Sequence, residues 1–168
     1  MKRLLLLATG YLLLATALFA QSRPSPTQPL TLLVSAARTA TGTSTTTSVW
    51  RYSTCQVVLN VTAAATEAGD TLDVFLEKSA DGGTTWDTFT HFTQVLGNGG
   101  AKKFIALVSD GIAPTLTTTY APKAHADVAA SAINQGAFGD YWRIAFDIVD
   151  VATLGNQSFT FSVKANCK

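Results

Sequence analysis

Charged residues are scarce in this chain, and neither sign prevails among them. Lysine and arginine number 12 and aspartate and glutamate 11, so that charged residues make up 14% of the 168 residues. A nucleic-acid partner requires a basic face, and capture by an anionic membrane requires a basic cluster. We therefore expect neither a nucleic acid nor a membrane surface as a partner of the mature chain.

Residues that commonly catalyse reactions or bind metals are also few. The chain has two histidines, His91 and His125, and its two cysteines lie too far apart in the sequence for a zinc site. No nucleophile elbow groups Ser, His and Asp, and no EF-hand spacing appears. We predict that the chain is not an enzyme and has neither a cofactor nor a metal centre. A calcium site that uses Asp70 or Asp81 stays open as an alternative.

Acidic residues occur at several predicted strand positions, and two carboxylates that meet in space can act as acid and base. Asp73 and Glu77 lie in one such strand, and Asp147 and Asp150 lie at the end of another. No further signature accompanies either pair. We therefore expect all four to be solvated strand residues.

The N-terminal segment has the order of a secretory signal peptide. A basic head of three residues precedes an apolar run from Leu4 to Ala20, and a polar, proline-rich stretch follows. The run is shorter than the roughly 20 residues that a membrane-spanning helix needs, which disfavours a retained anchor. We expect residues 1–20 to be cleaved after Ala20 and the protein to be secreted, to the extracellular space or the cell surface.

Residues 21–29 form a second segment with its own composition. Pro24, Pro26 and Pro29 deny backbone donors and stiffen the chain, so we expect an extended arm there. A single domain follows over residues 30–168. The stretch QPLTLLVSAA could add a strand to a neighbouring subunit, which would make the protein a homo-oligomer or a filament. The alternative is that this stretch completes its own sheet.

Apolar residues alternate with polar ones along most of the remaining sequence. This period of two predicts strands that are buried on one face, and the one helical candidate is KAHADVAASAINQG. About eight strands joined by polar connections predict an all-β fold, an antiparallel β-sandwich that is jelly-roll-like. The inward residues expected from the alternation are Leu72, Val74, Leu76, Trp142, Ile144, Phe146, Ile148, Phe159, Phe161 and Val163.

The same alternation bears on the cysteines. Cys55 is in phase with Val57 and Leu59, and Cys167 is in phase with Phe161 and Val163. Both side chains are therefore expected on the core side of an early and a final strand. In an exported protein such a pair favours a disulfide over two free thiols, although two buried thiols stay open because parity does not give a distance.

The stretch SADGGTTW predicts a tight hairpin between two strands. Its aspartate can accept hydrogen bonds from the backbone of its own turn, its glycines allow positive φ, and its tryptophan can pack over the turn. We expect the returning strand to begin at Thr84. The predicted structural turn residues are Ser79, Asp81, Gly82, Gly83 and Trp86.

Ser79, Asp81, Gly83, Thr85 and Trp86 resemble the Asp-box, a hairpin motif of sialidases. In that family the box recurs on successive propeller blades, away from the catalytic centre. Here the motif occurs once, and the chain is too short for a six-bladed propeller. We interpret it as a structural turn and not as an active site.

A second resemblance extends over residues 54–108 and 139–166. The segments TLDVFLEKSADGGTTWDTFTHF, GDYWRIAFDIVD and SFTFSVKA are similar to small β-sandwich proteins encoded in tailed-phage structural gene clusters. The resemblance implies a capsid or tail accessory protein without catalysis. Together with the export signal, it favours the same fold in an extracellular or virion-like assembly. We therefore expect an exported, non-catalytic structural protein.

Aromatic residues support a different function. Trp50, Tyr52 and Tyr141 could form an exposed platform for sugar rings, as in carbohydrate-binding β-sandwiches. Trp86 and Trp142 are instead expected to cover the hairpin and to fill the core. The alternative to an assembly role is therefore a secreted carbohydrate-binding module with a polysaccharide partner.

Overall fold

A computed structural model of the chain describes residues 27–110, 122–134, 136–151 and 155–168. These residues form eleven β-strands and one short 3₁₀ helix, His125–Asp127. The strands are β1 (Gln28–Arg38), β2 (Gly42–Thr43), β3 (Thr47–Ser48), β4 (Thr54–Ala63), β5 (Thr71–Ser79), β6 (Asp87–His91), β7 (Val95–Leu96), β8 (Lys102–Ser109), β9 (Ala132–Ile133), β10 (Tyr141–Val149) and β11 (Phe159–Cys167).

The strands form two antiparallel sheets that pack face to face, which confirms the predicted β-sandwich. The four-stranded sheet has the order β1-β11-β4-β8. The seven-stranded sheet has the order β2-β10-β5-β6-β9, with β3 also paired to β10 and β7 to β5. Four of the described strands contain only two residues, which is why their number exceeds the predicted eight.

The core lies between the two sheets and follows the alternation of the sequence. Leu72, Val74 and Leu76 of β5 are buried, and so are Trp142 and Ile144 of β10. The facing sheet contributes residues of its own, which are Val57, Leu59, Val61, Phe159, Phe161 and Val163. Because every second residue points inward, each long strand contributes one apolar row to a single core.

The first strand begins at Gln28, two residues before the predicted start of the domain, and it includes Pro29. Proline is tolerated there because β1 is an edge strand, on which a missing N–H costs no ladder hydrogen bond. β1 pairs with β11 of the same chain, from Gln28 opposite Cys167 to Arg38 opposite Phe159. The predicted signal peptide and residues 21–26 of the predicted arm lie outside the described residues.

The predicted helix at KAHADVAASAINQG is reduced to a single 3₁₀ turn, His125–Asp127. Ala132 and Ile133 then form β9, which pairs with Thr90 and His91 of β6. The segment therefore completes the edge of the seven-stranded sheet. Within the described ranges, no helix is long and apolar enough to cross a membrane.

Cys55 and Cys167 form a disulfide, as the shared parity of their strands predicts. The two residues lie directly opposite each other in the register of β4 and β11, with their Cα atoms 4.1 Å apart. Both side chains are fully buried against the core. The bond joins residues that are 112 positions apart in the sequence, and it therefore closes a loop that contains most of the sandwich.

Replacing both cysteines with alanine is expected to lower the free energy of unfolding by about 4 kcal/mol, the entropic effect of opening so long a loop. Chemical denaturation of the two proteins, each with and without a reducing agent, measures the difference. The reductant should lower the midpoint of the parent and leave the double variant unchanged. A parent whose midpoint does not respond to full reduction would contradict the prediction.

Candidate functional site

The Asp81 carboxylate is the centre of the hairpin between β5 and β6. Its oxygens accept hydrogen bonds from the Thr84 N–H at 3.1 Å, the Thr85 N–H at 2.9 Å and the Thr85 hydroxyl at 2.6 Å. The Ser79 hydroxyl donates to the same carboxylate at 2.7 Å and accepts from the Gly83 N–H at 2.9 Å. The Ser79 hydroxyl and the Asp81 carboxylate therefore form their hydrogen bonds within the turn itself.

These hydrogen bonds lower the pKa of Asp81 from 3.8 to about 2. The Thr85 hydroxyl contributes most, followed by the Thr85 N–H and the Ser79 hydroxyl, because each stabilises the ionised form. A general acid or base works best when its pKa lies near the operating pH. The pKa of Asp81 lies far below that range, so the hairpin carboxylate is poorly suited to proton transfer.

The backbone of the turn explains where the next strand begins. Gly82 and Gly83 have φ values of 74° and 89°, which glycine adopts without the clash of a Cβ. The hydrogen bonds of Asp81 hold Thr84 and Thr85 in the turn. The returning strand therefore begins at Asp87 and not at Thr84 as predicted.

Trp86 lies between the turn and the outer face of the seven-stranded sheet. Its ring passes close to Gly83, where an added Cβ would be 3.4 Å from the indole Cζ2. The Arg143 guanidinium covers the ring, with its central carbon 4.2 Å from the ring centroid. Arg143 also donates a hydrogen bond from Nε to Glu77. One face of the indole is therefore occupied by the protein itself.

Glu77, Arg143 and His125 form a polar network on this outer face. Glu77 is only 5% exposed, so it is not the solvated strand residue that the sequence predicts. His125 Nε2 lies 3.2 Å from Glu77 Oε1, and His125 Nδ1 lies 3.1 Å from Asp147 Oδ2. The imidazole also stacks on Phe75, with ring centroids 3.9 Å apart and planes 9° apart. The network thus fastens the 3₁₀ turn to β5 and β10.

The second histidine has an analogous environment. His91 Nε2 lies 2.9 Å from Asp73 Oδ1, and His91 Nδ1 lies 2.8 Å from the Val128 carbonyl oxygen. Each histidine ring therefore has an oxygen within hydrogen-bond distance of both nitrogens, and both rings hold the segment 125–128 against the sheet.

Lys78 is a buried cation that the alternation did not single out. It is 7% exposed, its Nζ lies 3.6 Å from Asp87, and it lies over the Phe89 ring at 4.8 Å. Burial lowers the pKa of Lys78, and the nearby Asp87 partly opposes that effect. The residue borders a shallow cleft of about 280 Å³ beside the hairpin, lined also by Ser79 and Gly139.

The three aromatic residues proposed for sugar stacking do not share one environment. Trp50 is 73% exposed, Tyr141 is partly buried, and Tyr52 is only 6% exposed. Tyr52 packs within the core cluster and therefore cannot belong to an exposed platform. Trp142 is fully buried, as expected, and its Nε1 donates to the Phe138 carbonyl oxygen at 3.0 Å.

Two large exposed apolar side chains lie on β8, an edge strand of the four-stranded sheet. Ile105 and Leu107 are 61% and 64% exposed, and they lie on the same face of that strand. Among the described strands β8 pairs only with β4, so its second edge has no ladder partner. Val58 of β4 lies opposite Ile105 and extends the apolar surface by one strand. This edge is the second candidate site of the molecule.

Sequence reasoning missed the polar network and the open edge for different reasons. The alternation along β5 places Asp73, Phe75 and Glu77 on the face opposite the core. The aromatic side chain of Phe75 between two carboxylates indicated that another segment covers this face. The residue that covers it, His125, is distant in sequence. Which strand ends a sheet depends on pairing, and one strand's sequence does not show its neighbours.

Comparisons with protein-family models, with curated proteins and with solved structures found no match. The resemblance to phage β-sandwich proteins therefore stays a prediction based on the motifs of the sequence.

Replacing Asp81 with asparagine is expected to lower the melting temperature at neutral pH, and the loss should depend on pH. The folded pKa of about 2 is below the unfolded value of 3.8, so ionised Asp81 stabilises the fold above the unfolded pKa and loses this effect as pH falls through about 2. Melting curves between pH 7 and pH 2 should show the gap between parent and variant closing below about pH 4.

The matched control is Asp140→Asn, because Asp140 is exposed and makes no side-chain hydrogen bond among the described residues. This control should follow the parent at every pH. A gap for Asp81→Asn that stays constant over the whole range would contradict the assignment of the hydrogen bonds to the ionised carboxylate.

Proposed function

We propose that this chain is an exported, non-catalytic structural subunit, and that two copies pair through the open edge of β8. The observation that carries the proposal is an edge of β8 with which no described strand pairs, on a strand with two exposed apolar side chains, Ile105 and Leu107. An exposed apolar edge is a template for another strand, and monomeric proteins usually protect such edges with charges, bulges or a covering segment. Here two lysines lie at the start of β8, and the rest of the strand, from Phe104 to Ser109, carries no charge and is suited to a partner strand.

The sequence of β8 is self-complementary in an antiparallel pair. If two copies meet about a two-fold axis at Ala106, Ile105 of one copy lies opposite Leu107 of the other. The same register places Lys102 opposite Asp110, and it places Lys103 opposite Ser109 and not opposite another lysine. Opposed apolar residues and opposite charges both stabilise cross-strand pairs. The pairing would join two four-stranded sheets into one continuous sheet.

The polar network supports a role without catalysis. Both histidines use both ring nitrogens within the fold, and Asp81 is held ionised by its own turn. These side chains therefore serve contacts within the fold, which supports a structural role for them. The buried disulfide is compatible with an oxidising compartment, which agrees with the proposed export.

Strand exchange through the N-terminal stretch stays a separate prediction. Residues 28–36 belong to β1, which is already paired with β11 of its own chain. Deleting residues 21–36 would therefore remove most of a strand from the four-stranded sheet. Such a deletion cannot separate assembly from folding, so the β8 edge is the surface to test first.

A carbohydrate-binding module is the second candidate, and exposed Trp50 favours it. A tryptophan that is 73% exposed is unusual in a protein surface and can stack against a sugar ring. Tyr52 does not extend this platform because it is buried, and Arg143 already covers the ring of Trp86. Native gels that contain polysaccharide, run with the parent and with Trp50→Ala, test this function independently of assembly.

The double substitution of Ile105 and Leu107 by lysine is expected to convert a dimer or larger assembly into monomers. Association should weaken about tenfold or more, because the proposed register would place lysine directly opposite lysine at both positions and would remove the apolar cross-strand contacts. Light scattering coupled to size-exclusion chromatography measures the mass. Val34→Lys is the matched control, because Val34 is 66% exposed on the opposite edge strand of the same sheet.

Charge reversal tests the register itself. Lys102→Asp and Asp110→Lys should each weaken association, and the double variant should restore it because the opposed charges are exchanged. A parent that is strictly monomeric at high concentration would refute the assembly proposal. Assembly that persists in the Ile105 and Leu107 variant but is lost in Val34→Lys would move the interface to β1.

A further inference from the structure

Three carboxylates converge at one end of the seven-stranded sheet, away from the network and the hairpin. Glu67 and Asp70 belong to the connection between β4 and β5, and Asp150 follows β10 directly. One oxygen from each of the three residues lies within 4.8 Å of the other two.

The register of the central strands brings two of these residues together. Thr71 of β5 lies opposite Val149 of β10, so Asp70 and Asp150 occupy the next opposed positions beyond the ladder. Like charges directly opposite each other destabilise a strand pair. The opposed pair Asp73 and Asp147 lies further along the same ladder, and there a histidine nitrogen contacts each carboxylate.

The backbone holds the carboxylates in place. The Asp70 N–H donates to the Glu67 carbonyl oxygen at 3.2 Å, and the Gly97 N–H donates to the Asp70 carbonyl oxygen at 2.7 Å. Gly97 passes so close to this turn that a Cβ there would overlap the Glu67 carbonyl oxygen. The close packing limits how far the acidic side chains can move apart through backbone adjustment.

Glu67 and Asp70 each have a buried carboxylate oxygen without a hydrogen-bond partner among the described residues. Asp70 is fully buried, and its Oδ2 has no partner among the described residues. Its Oδ1 accepts only a long hydrogen bond, 3.4 Å from the Val151 N–H. Glu67 Oε2 is also buried and without a partner, and neither Glu67 nor Asp70 forms an ion pair in the described ranges. A buried carboxylate without hydrogen bonds or an ion pair destabilises the fold unless a cation binds it.

We propose that Glu67, Asp70 and Asp150 bind one calcium ion. Calcium takes oxygen ligands at about 2.3–2.6 Å, so two ligands of one ion lie at most about 5 Å apart, which accommodates the 4.8 Å limit of this cluster. Magnesium requires a tighter octahedral shell, and zinc prefers nitrogen and sulfur ligands, which this cluster lacks. Glu67 and Asp150 are partly exposed and provide the route by which the ion enters.

The bound ion would tie the β4–β5 connection to the end of β10. Three carboxylates supply three of the six to eight ligands that calcium takes, and water completes the shell at the exposed side. Without the ion the three carboxylates repel one another and destabilise the fold, and with the ion bound they are attracted to it and stabilise the fold. A substitution that neutralises one carboxylate should therefore not lower stability without calcium and should lower it with calcium.

The full chain is first treated with EDTA and then titrated with calcium chloride. Its melting temperature should rise by about 5–10 °C at about 10 mM calcium, which is roughly a hundredfold above the dissociation constant of a typical extracellular calcium module. Isothermal titration calorimetry should give one ion per chain. Magnesium at the same concentration should produce a smaller rise, and a larger one would overturn the assignment to calcium.

Asp70→Asn keeps the shape of the side chain and removes its charge. In EDTA this variant should melt no lower than the parent, and in calcium it should melt lower because it loses the response. Glu67→Gln provides a second, less buried substitution with the same expected loss, and Asp140→Asn at the far end of β10 should respond as the parent does. An equal calcium response in the parent and Asp70→Asn, or no response in the parent, overturns the proposal.

Discussion

The antiparallel ladder between β5 and β10 is the interaction on which the other features of the molecule depend. It pairs nine residues of each strand without interruption, from Thr71 opposite Val149 to Ser79 opposite Tyr141. One face of this ladder supplies Leu76 and Ile144 to the core, and the other supplies Glu77 and Arg143 to the polar network. The hairpin begins at one end of the ladder, and the acidic cluster lies at the other. A shift of one residue would exchange the two faces and dismantle all of these sites together.

The two sheets differ in how their outer surfaces are used. The seven-stranded sheet is covered by its own chain, because the segment that contains His125 and Val128 lies on it and is held by Glu77, Asp147 and His91. The four-stranded sheet has no comparable cover among the described residues, and its β8 edge exposes Ile105 and Leu107. The outer face of the seven-stranded sheet, which this segment covers, carries most of the ion pairs. The open face of the four-stranded sheet is mixed, because Val58, Ile105 and Leu107 form an apolar patch beside polar residues such as Gln56, Asn60 and Lys164. Such a patch is suited to a contact with a partner.

Much of the fold was predictable because burial on one face leaves a period of two in the sequence. That pattern identified the long strands and their inward residues, and it placed Cys55 and Cys167 on the same side of their strands. It could not identify which strands are neighbours, so the edge position of β8 and the opposed aspartates of β5 and β10 were invisible. The burial of Tyr52 and Glu77 likewise depends on segments distant in sequence. The turn chemistry of Asp81 was predictable because its partners lie within a few residues.

The position of β11 has a consequence for the order in which the molecule can form. This strand follows all the other described strands in the sequence, yet it lies in the interior of its sheet, between β1 and β4. Until β11 has been synthesised, β1 has no neighbour to pair with and β4 lacks one of its two. The first and the last described strands must therefore meet across more than 120 residues before this sheet exists. Such non-local pairing is slow to form, and the four-stranded sheet can be completed only after β11 has been synthesised.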